Sequence, residues 1–221
     1  MCGRFTLTVD PADLQNLFGL SESPPHDLVP RYNIAPSQPV AVIANADQRK
    51  LELFKWGLIP SWAKDSKIGY RLINARAETL AEKPSFRTAL KRRRCLILAD
   101  GFYEWKKDGK NKTPMYIQLN DGTPFAFAGL WETWKGPDDT LIKSCTIITT
   151  DANALLKEIH DRMPVILPDK AWPLWLTPEE LPAEKTLPLL KPFAASRMKA
   201  VAVSALVNNP RFDSPECVVP Q

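Results

Sequence analysis

Cys2 directly follows the initiator Met1. Aminopeptidases remove Met when the next residue is small, and Cys qualifies. The mature chain then begins with a free α-amine and a thiol on one carbon. An α-amine has a pKa near ~8 and a thiol near ~8.5, so both are available as nucleophiles around neutral pH. Together they trap an aldehyde, first as an imine and then as a five-membered thiazolidine. The bland reading is an incidental residue in a frayed terminus. Cys2 therefore matters only if the rest of the chain supplies groups to work with it.

Three stretches contain such groups. The chain has two histidines. His26 lies in the proline-rich SPPHDLVP, read as a surface loop, and His160 in EIHDRMPVIL, where a helix should end before a strand. Asp161 and Arg162 follow His160 and could orient it and tune it across neutrality. In RLINARAETL, Asn74, Arg76 and Glu78 alternate along an extended segment, which predicts that all three project to one face. In LILADGFYEWKK, Glu104 sits among aromatic residues just after an apolar run. A carboxyl there is expected to be partly desolvated, with its pKa raised toward a useful acid/base value. Taken singly, each of these reads equally as a satisfied structural polar group. Trp56, Trp62, Phe102, Tyr103 and Trp105 crowd the same regions. Some are expected to serve as stacking platforms for single-stranded nucleic acid, and the others as core.

The elements that must position these groups follow from patterning. The 221 residues, 44% hydrophobic and 24% charged, suit a globular chain, read as one domain over 1–221. No run is long enough to span a membrane, and MCGRFTLTVD has no apolar secretory core. A cytoplasmic location is the expectation. Cysteines at 2, 95, 145 and 217 are too scattered for a zinc knuckle or a CxxC pair. Cys95 and Cys145 fall in apolar strand-like runs and are expected to pack in the core. The net charge of +4 is modest, but Lys91–Arg94 and Lys106, Lys107, Lys110 and Lys112 are clustered. Such runs are usually solvated faces, and gain meaning only beside an independently supported site.

Phe5, Leu7 and Val9 alternate as in a half-buried strand, which would tie the terminus into a sheet. Asp10 and Pro11 open a helix that Gly19 closes. Further strands are predicted at 40–44, 51–56, 95–99, 115–119, 125–130, 144–149, 165–167 and 200–203. Asp121-Gly122 is read as a hairpin turn between two of them. Short helices are predicted at 85–92, at 152–159 with Asp151 as cap, and between 169 and 191. Strands outnumber helices. This predicts an α+β fold on an antiparallel sheet, curled into a barrel-like core flanked by short helices.

MCGRF, RYNIAPSQ (31–38), KWGLIPSWAKD (55–65), INARAET (73–79), RCLILADGFYEWKK (94–107), FAFAGLWE (125–132), CTIITT (145–150), IHDRMPVIL (159–167) and VSALVN (203–208) occur in that order. This series closely resembles the SOS-response-associated peptidase (SRAP) family, the abasic-site shielding proteins of bacteria and eukaryotes. The resemblance spans nearly the whole chain. One departure is Leu98, where relatives often carry Pro.

The resemblance implies covalent capture of abasic sites in single-stranded DNA through a thiazolidine at Cys2. Asn74, Glu104 and His160 match the other active-site positions. Arg4, Asn33, Trp62 and Arg76 match positions that hold DNA or line the site. A reagent acting once per lesion needs no partner subunit, so a monomer is the expectation, with no cofactor or metal and with a weak abasic-site lyase activity beside capture. Two alternatives stand next to this expectation. One is an N-terminal-nucleophile cysteine peptidase that uses Cys2, Glu104 and His160 on an amide. The other is a non-catalytic single-strand-binding module.

Overall fold

A computed structural model describes residues 2–46 and 48–221. Met1, and with it the expected removal of the initiator, lies outside the described residues. In chain order the elements are β1 (Phe5–Leu7), α1 (Pro11–Phe18), β2 (Arg31–Ile34), β3 (Pro39–Ala44), β4 (Leu51–Trp56), β5 (Asn74–Arg76) and α2 (Arg87–Arg92). There follow β6 (Arg94–Ala99), β7 (Gly101–Asp108), β8 (Asn111–Leu119), β9 (Phe125–Lys135), β10 (Leu141–Asp151), α3 (Ala154–Lys157) and β11 (Arg162–Pro164). The remainder are β12 (Ile166–Leu167), α4 (Trp172–Trp175), α5 (Ala183–Thr186) and β13 (Met198–Ala202). Short 3₁₀ turns join several of them.

Five strands close on themselves. β3 pairs with β4, β4 with β10, β10 with β9, β9 with β6, and β6 returns to β3. A second sheet, in the order β13-β8-β7-β1-β2, packs against this barrel. The fold is α+β, with a barrel core and short flanking helices. Most pairings are antiparallel, but β4 and β5 both run parallel to β10. Closure removes open edges from the barrel. It also explains the apolar runs of β6 and β3, which have little polar alternation. β6 is buried at all six positions because one face fills the barrel and the other is covered. Phe5 of the second sheet packs edge-on against Trp56 and Phe127 of the barrel, at centroid separations of 5.1 and 5.7 Å. These contacts bury apolar area and fix how the two sheets meet.

Local signals mostly settled as written in the sequence. Asp10 accepts the Ala12 amide at 2.9 Å, Pro11 opens α1, and Gly19 ends it at φ +60°. Four expectations need correction. Asp121-Gly122 is a turn but not a hairpin, because β8 and β9 belong to different sheets. The hairpin is β7–β8, which turns at Gly109-Lys110. Asp151 does not cap the helix after it. Asn153 does, accepting the Leu156 amide at 2.9 Å, while Asp151 pairs with Arg162. Glu78 leaves the face of Asn74 and Arg76, because the chain turns into a 3₁₀ helix at Ala77–Thr79. Finally, Arg94 is no part of a solvated run. It is fully buried and donates to the carbonyls of Leu90, Lys91, Trp175, Thr177 and Glu179.

Candidate active site

The N-terminal segment lies along β7. The Tyr103 amide donates to the Arg4 carbonyl at 2.9 Å, extending the β1–β7 pairing toward the start of the chain. Asp100, in the β6–β7 bend, fastens the other end of β1. It accepts from the Thr6 hydroxyl at 2.5 Å, the Thr8 amide and hydroxyl at 2.5 and 2.6 Å, and the Val9 amide at 3.1 Å. Cys2 is consequently not frayed. Its solvent exposure is 0%.

Asn74 reaches Cys2 from β5. Its Nδ2 donates to the Cys2 carbonyl at 2.8 Å, while its buried Oδ1 has no partner among the described residues. β5 is held in place by its parallel pairing with β10, in which Asn74 lies beside Ile147 and Arg76 beside Thr149. Glu104 stands two residues after Phe102 on β7, so it shares the inward face of the second sheet. It is 3% exposed. Burial raises its carboxyl pKa, and the nearby His160 draws it back. Burial also raises the Cys2 thiol, and the negative charge of Glu104 adds to that. The thiol is therefore held protonated in the resting chain.

His160 ends the α3 turn. Its Nδ1 accepts the Arg162 amide at 2.9 Å, so a neutral ring carries its proton on Nε2. Asp161 Oδ1 also lies 2.8 Å from Nδ1, but that side chain is mostly in solvent. Arg162 locks the region together. Its guanidinium donates to both Glu78 oxygens at 2.8 and 2.9 Å, to Asp151 at 2.7 Å and to the Thr149 carbonyl at 2.8 Å. This hydrogen bonding holds the Glu78 carboxyl below its ordinary range. In each motif, then, one member lies by the site and another is scaffold: Asn74 bonds Cys2 while Glu78 bonds Arg162, and His160 acts on Glu104 while Arg162 ties the strands.

The four residues expected to do chemistry thus converge from four segments. The expected DNA-contact residues divide. Arg76 is exposed on the face of Asn74, and Trp62 is 59% exposed on the loop after β4. Arg4 and Asn33 form an internal clamp instead. Arg4 Nη1 donates to Asn33 Oδ1 and the Val207 carbonyl, both at 2.7 Å, and its guanidinium lies 6.0 Å from the Trp105 ring. Asn33 is fully buried and donates to the carbonyls of Val207, Asn209 and Phe212.

Thr149 escaped sequence reasoning. It shares the face of Asn74 and Arg76 by register, and its buried hydroxyl has no partner among the described residues. Its only signal was a polar residue inside an apolar strand. A cavity of about 520 Å³ lined by Ile166, Leu174 and Phe193 holds no acid, base or nucleophile beyond Lys170 and Lys191. Among the described residues no three His, Cys, Asp or Glu side chains gather as a metal site.

A family model described as "SOS response associated peptidase (SRAP)" matches residues 1–210. Over 221 residues the chain is 50% identical to the abasic site processing protein YoqW of Bacillus subtilis (strain 168), with 99% of each covered. It is 32% identical over 263 residues to the abasic site processing protein HMCES of Xenopus tropicalis, covering 99% of this chain and 78% of that one. A crystal structure of a protein from Bacteroides thetaiotaomicron matches at a TM-score of 0.91 and 28% identity over 100% of both chains. Another, from Bordetella bronchiseptica, matches at 0.80 and 29%, over 92% of this chain and 100% of that one.

Proposed function

The chain belongs to the SOS response associated peptidase family, and on that premise we propose that it captures abasic sites in single-stranded DNA covalently through Cys2 once Met1 is removed. One observation carries this reading. A cysteine at the second position is fully buried and held by Asn74, with Glu104 close enough to shift its thiol. Chain ends are ordinarily loose, and this one is instead built into the core beside an acid and an amide. Relatives whose names describe abasic site processing support the same substrate.

An abasic deoxyribose is mostly a closed hemiacetal. His160 donates from Nε2 to the ring oxygen while the anomeric hydroxyl passes its proton to solvent, from which His160 is reprotonated, and the aldehyde opens. Glu104, its pKa raised by burial, accepts the proton that the Cys2 ammonium must lose before attack. The amine adds to the aldehyde carbon, and the carbinolamine loses water to give an imine. The Cys2 sulfur then adds to the imine carbon, and the nitrogen takes the proton given up by the thiol. The net change is one C–N and one C–S bond formed and one water lost. Asn74 keeps the Cys2 carbonyl still during these steps. Exposed Arg76 meets a flanking phosphate, and Trp62 offers a ring on which a base stacks. A thiol held protonated suits late addition to an imine better than the thiolate attack of a cysteine peptidase.

Intact-mass measurement provides the test. Purified protein lacking Met1 is mixed with a single strand bearing one abasic site. The expected product has the summed masses less one water and forms without a reductant. Cys2→Ala should give no such stable product. An uncleaved N-terminal extension should also abolish it, since the amine becomes an amide. Capture by the extended chain, or no adduct from the mature one, would defeat the proposal.

A further inference from the structure

β7 does not stop at the site. It is buried from Gly101 to Glu104, half-buried at Trp105, and exposed from Lys106 onward. β8 accompanies it outward in strict register, Glu104 beside Met115 through Asp108 beside Asn111. The two strands turn at Gly109, whose φ of +57° suits the first position of a two-residue hairpin loop. The result is an arm that projects beyond the N-terminal segment and reaches ~13 Å past Glu104 by Asp108.

This arm is cationic for no structural reason. It carries Lys106, Lys107, Lys110 and Lys112 against the single Asp108, a net +3 out of the chain's +4. Among the described residues none of these lysines forms an ion pair. Lys107 and Lys112 stand directly opposite each other across the ladder, where like charges destabilise a hairpin. Lys106 continues the row of Phe102 and Glu104 on one face, ~7 Å beyond the carboxyl. A bound polyanion would relieve the repulsion and find its first cation one step from the reacting centre.

We propose that the β7–β8 hairpin is a phosphate-binding arm that holds the DNA strand flanking the lesion. It lies outside the cleft formed by Cys2, Asn74, Glu104 and His160, and gives the cleft a tether along the backbone. The assignment of DNA as occupant rests on the proposed function.

The experiment measures non-covalent binding to undamaged single strands by fluorescence anisotropy across salt. The variant replaces Lys106, Lys107, Lys110 and Lys112 with Gln, and a companion replaces all four with Arg. On a long strand the Gln variant should lower the slope of log affinity against log salt by up to ~3, at ~0.7 per phosphate contact on single strands. The Arg companion should keep the wild-type slope. On an oligonucleotide too short to leave the cleft, the Gln variant and wild type should agree. A long-strand slope that does not fall, or one that falls equally on the short oligonucleotide, overturns the proposal. Melting temperature serves as the folding control and should hold or rise, because removing Lys107 and Lys112 removes a repulsion. Undamaged strands cannot be captured, so failure of adduct formation at Cys2 and failure of the arm are read separately.

Discussion

Buried beside Cys2, the Glu104 carboxyl holds its proton more tightly in the folded chain than in the unfolded one. Ionising it therefore costs folding free energy. Its contribution is most favourable below the unfolded value, near ~4.3, and is lost as pH rises through the raised folded value. Glu104→Gln should accordingly raise the melting temperature at neutral pH, with a gain that shrinks toward acid. The same change should slow adduct formation by roughly 10²–10⁴-fold, the usual range for a general acid or base. Thermal unfolding and single-turnover capture, both across pH, check the two signs. A variant that is less stable at neutral pH would show that the carboxylate holds the fold together. Thr149 and Thr146 form a second residue-level contrast. Both are fully buried on β10 with unpartnered hydroxyls, but their odd spacing puts them on opposite faces, and only Thr149 shares that of Asn74. An unmet buried hydroxyl costs ~1–3 kcal/mol, so either Thr→Val change should stabilise the chain. Thr149→Val alone should also slow capture, with Thr149→Ser restoring it. Equal capture by Thr149→Val and Thr146→Val would make both hydroxyls mere packing.

At the scale of elements, the N-terminal segment is positioned by what holds β1 and β2. Asp100 secures β1, and Asp213 accepts the Tyr32 and Asn33 amides at 2.6 and 2.9 Å while pairing with Arg31. Arg4 joins the two strands to the C-terminal segment through Asn33 and the Val207 carbonyl. Arg4→Ala leaves Asn33 Oδ1 without its donor and the Val207 carbonyl with only the longer bond from Asn33 Nδ2. Unfolding free energy should fall by ~1–3 kcal/mol in denaturant titration, and capture should slow because Cys2 is only two residues away. Loss of DNA affinity at unchanged stability would instead assign Arg4 the phosphate contact that the family resemblance implies.

Across the whole molecule, one backbone crossing ties the exposed Trp62 loop to the segment that leads into Asn74. Gly57 has φ +127°, and a Cβ there would lie 2.6 Å from the Gly69 carbonyl oxygen. A Cβ on Gly69 would meet the Gly57 oxygen at 2.7 Å. The Gly57 amide donates to Cys145 of β10, and the Leu58 amide to Leu72. The loop carrying Trp62 and the turn leading into Asn74 are thus pinned at one point. Gly57→Ala should destabilise by well over ~1 kcal/mol and reduce capture, though it touches neither Cys2 nor Asn74. Gly122→Ala is the control: its φ is also positive, at +72°, but nothing lies within 4 Å of the added Cβ. Its capture should match wild type. Unfolding and adduct yield measured on both variants decide the point.

Strand period, the caps of α1 and the apolar runs were legible in the chain because they depend on residues within a few positions of one another. The candidates Cys2, Asn74, Glu104 and His160 were singled out by the family resemblance, because each taken singly reads equally as a structural polar group. The sequence alone also carries the chemistry proposed for Cys2, an amine and a thiol on one carbon once Met1 is removed. Only the tertiary structure decided which neighbours serve that chemistry. Glu78 turned away to Arg162 because the chain bends after Arg76, and Asp121-Gly122 joined different sheets because β8 chose β7 and β13 as partners. Arg94 and Asn33 went inside, since barrel closure and the C-terminal segment offered carbonyls that needed donors. Such choices rest on groups distant in sequence, whose competition for partners is settled only when the sheets pack.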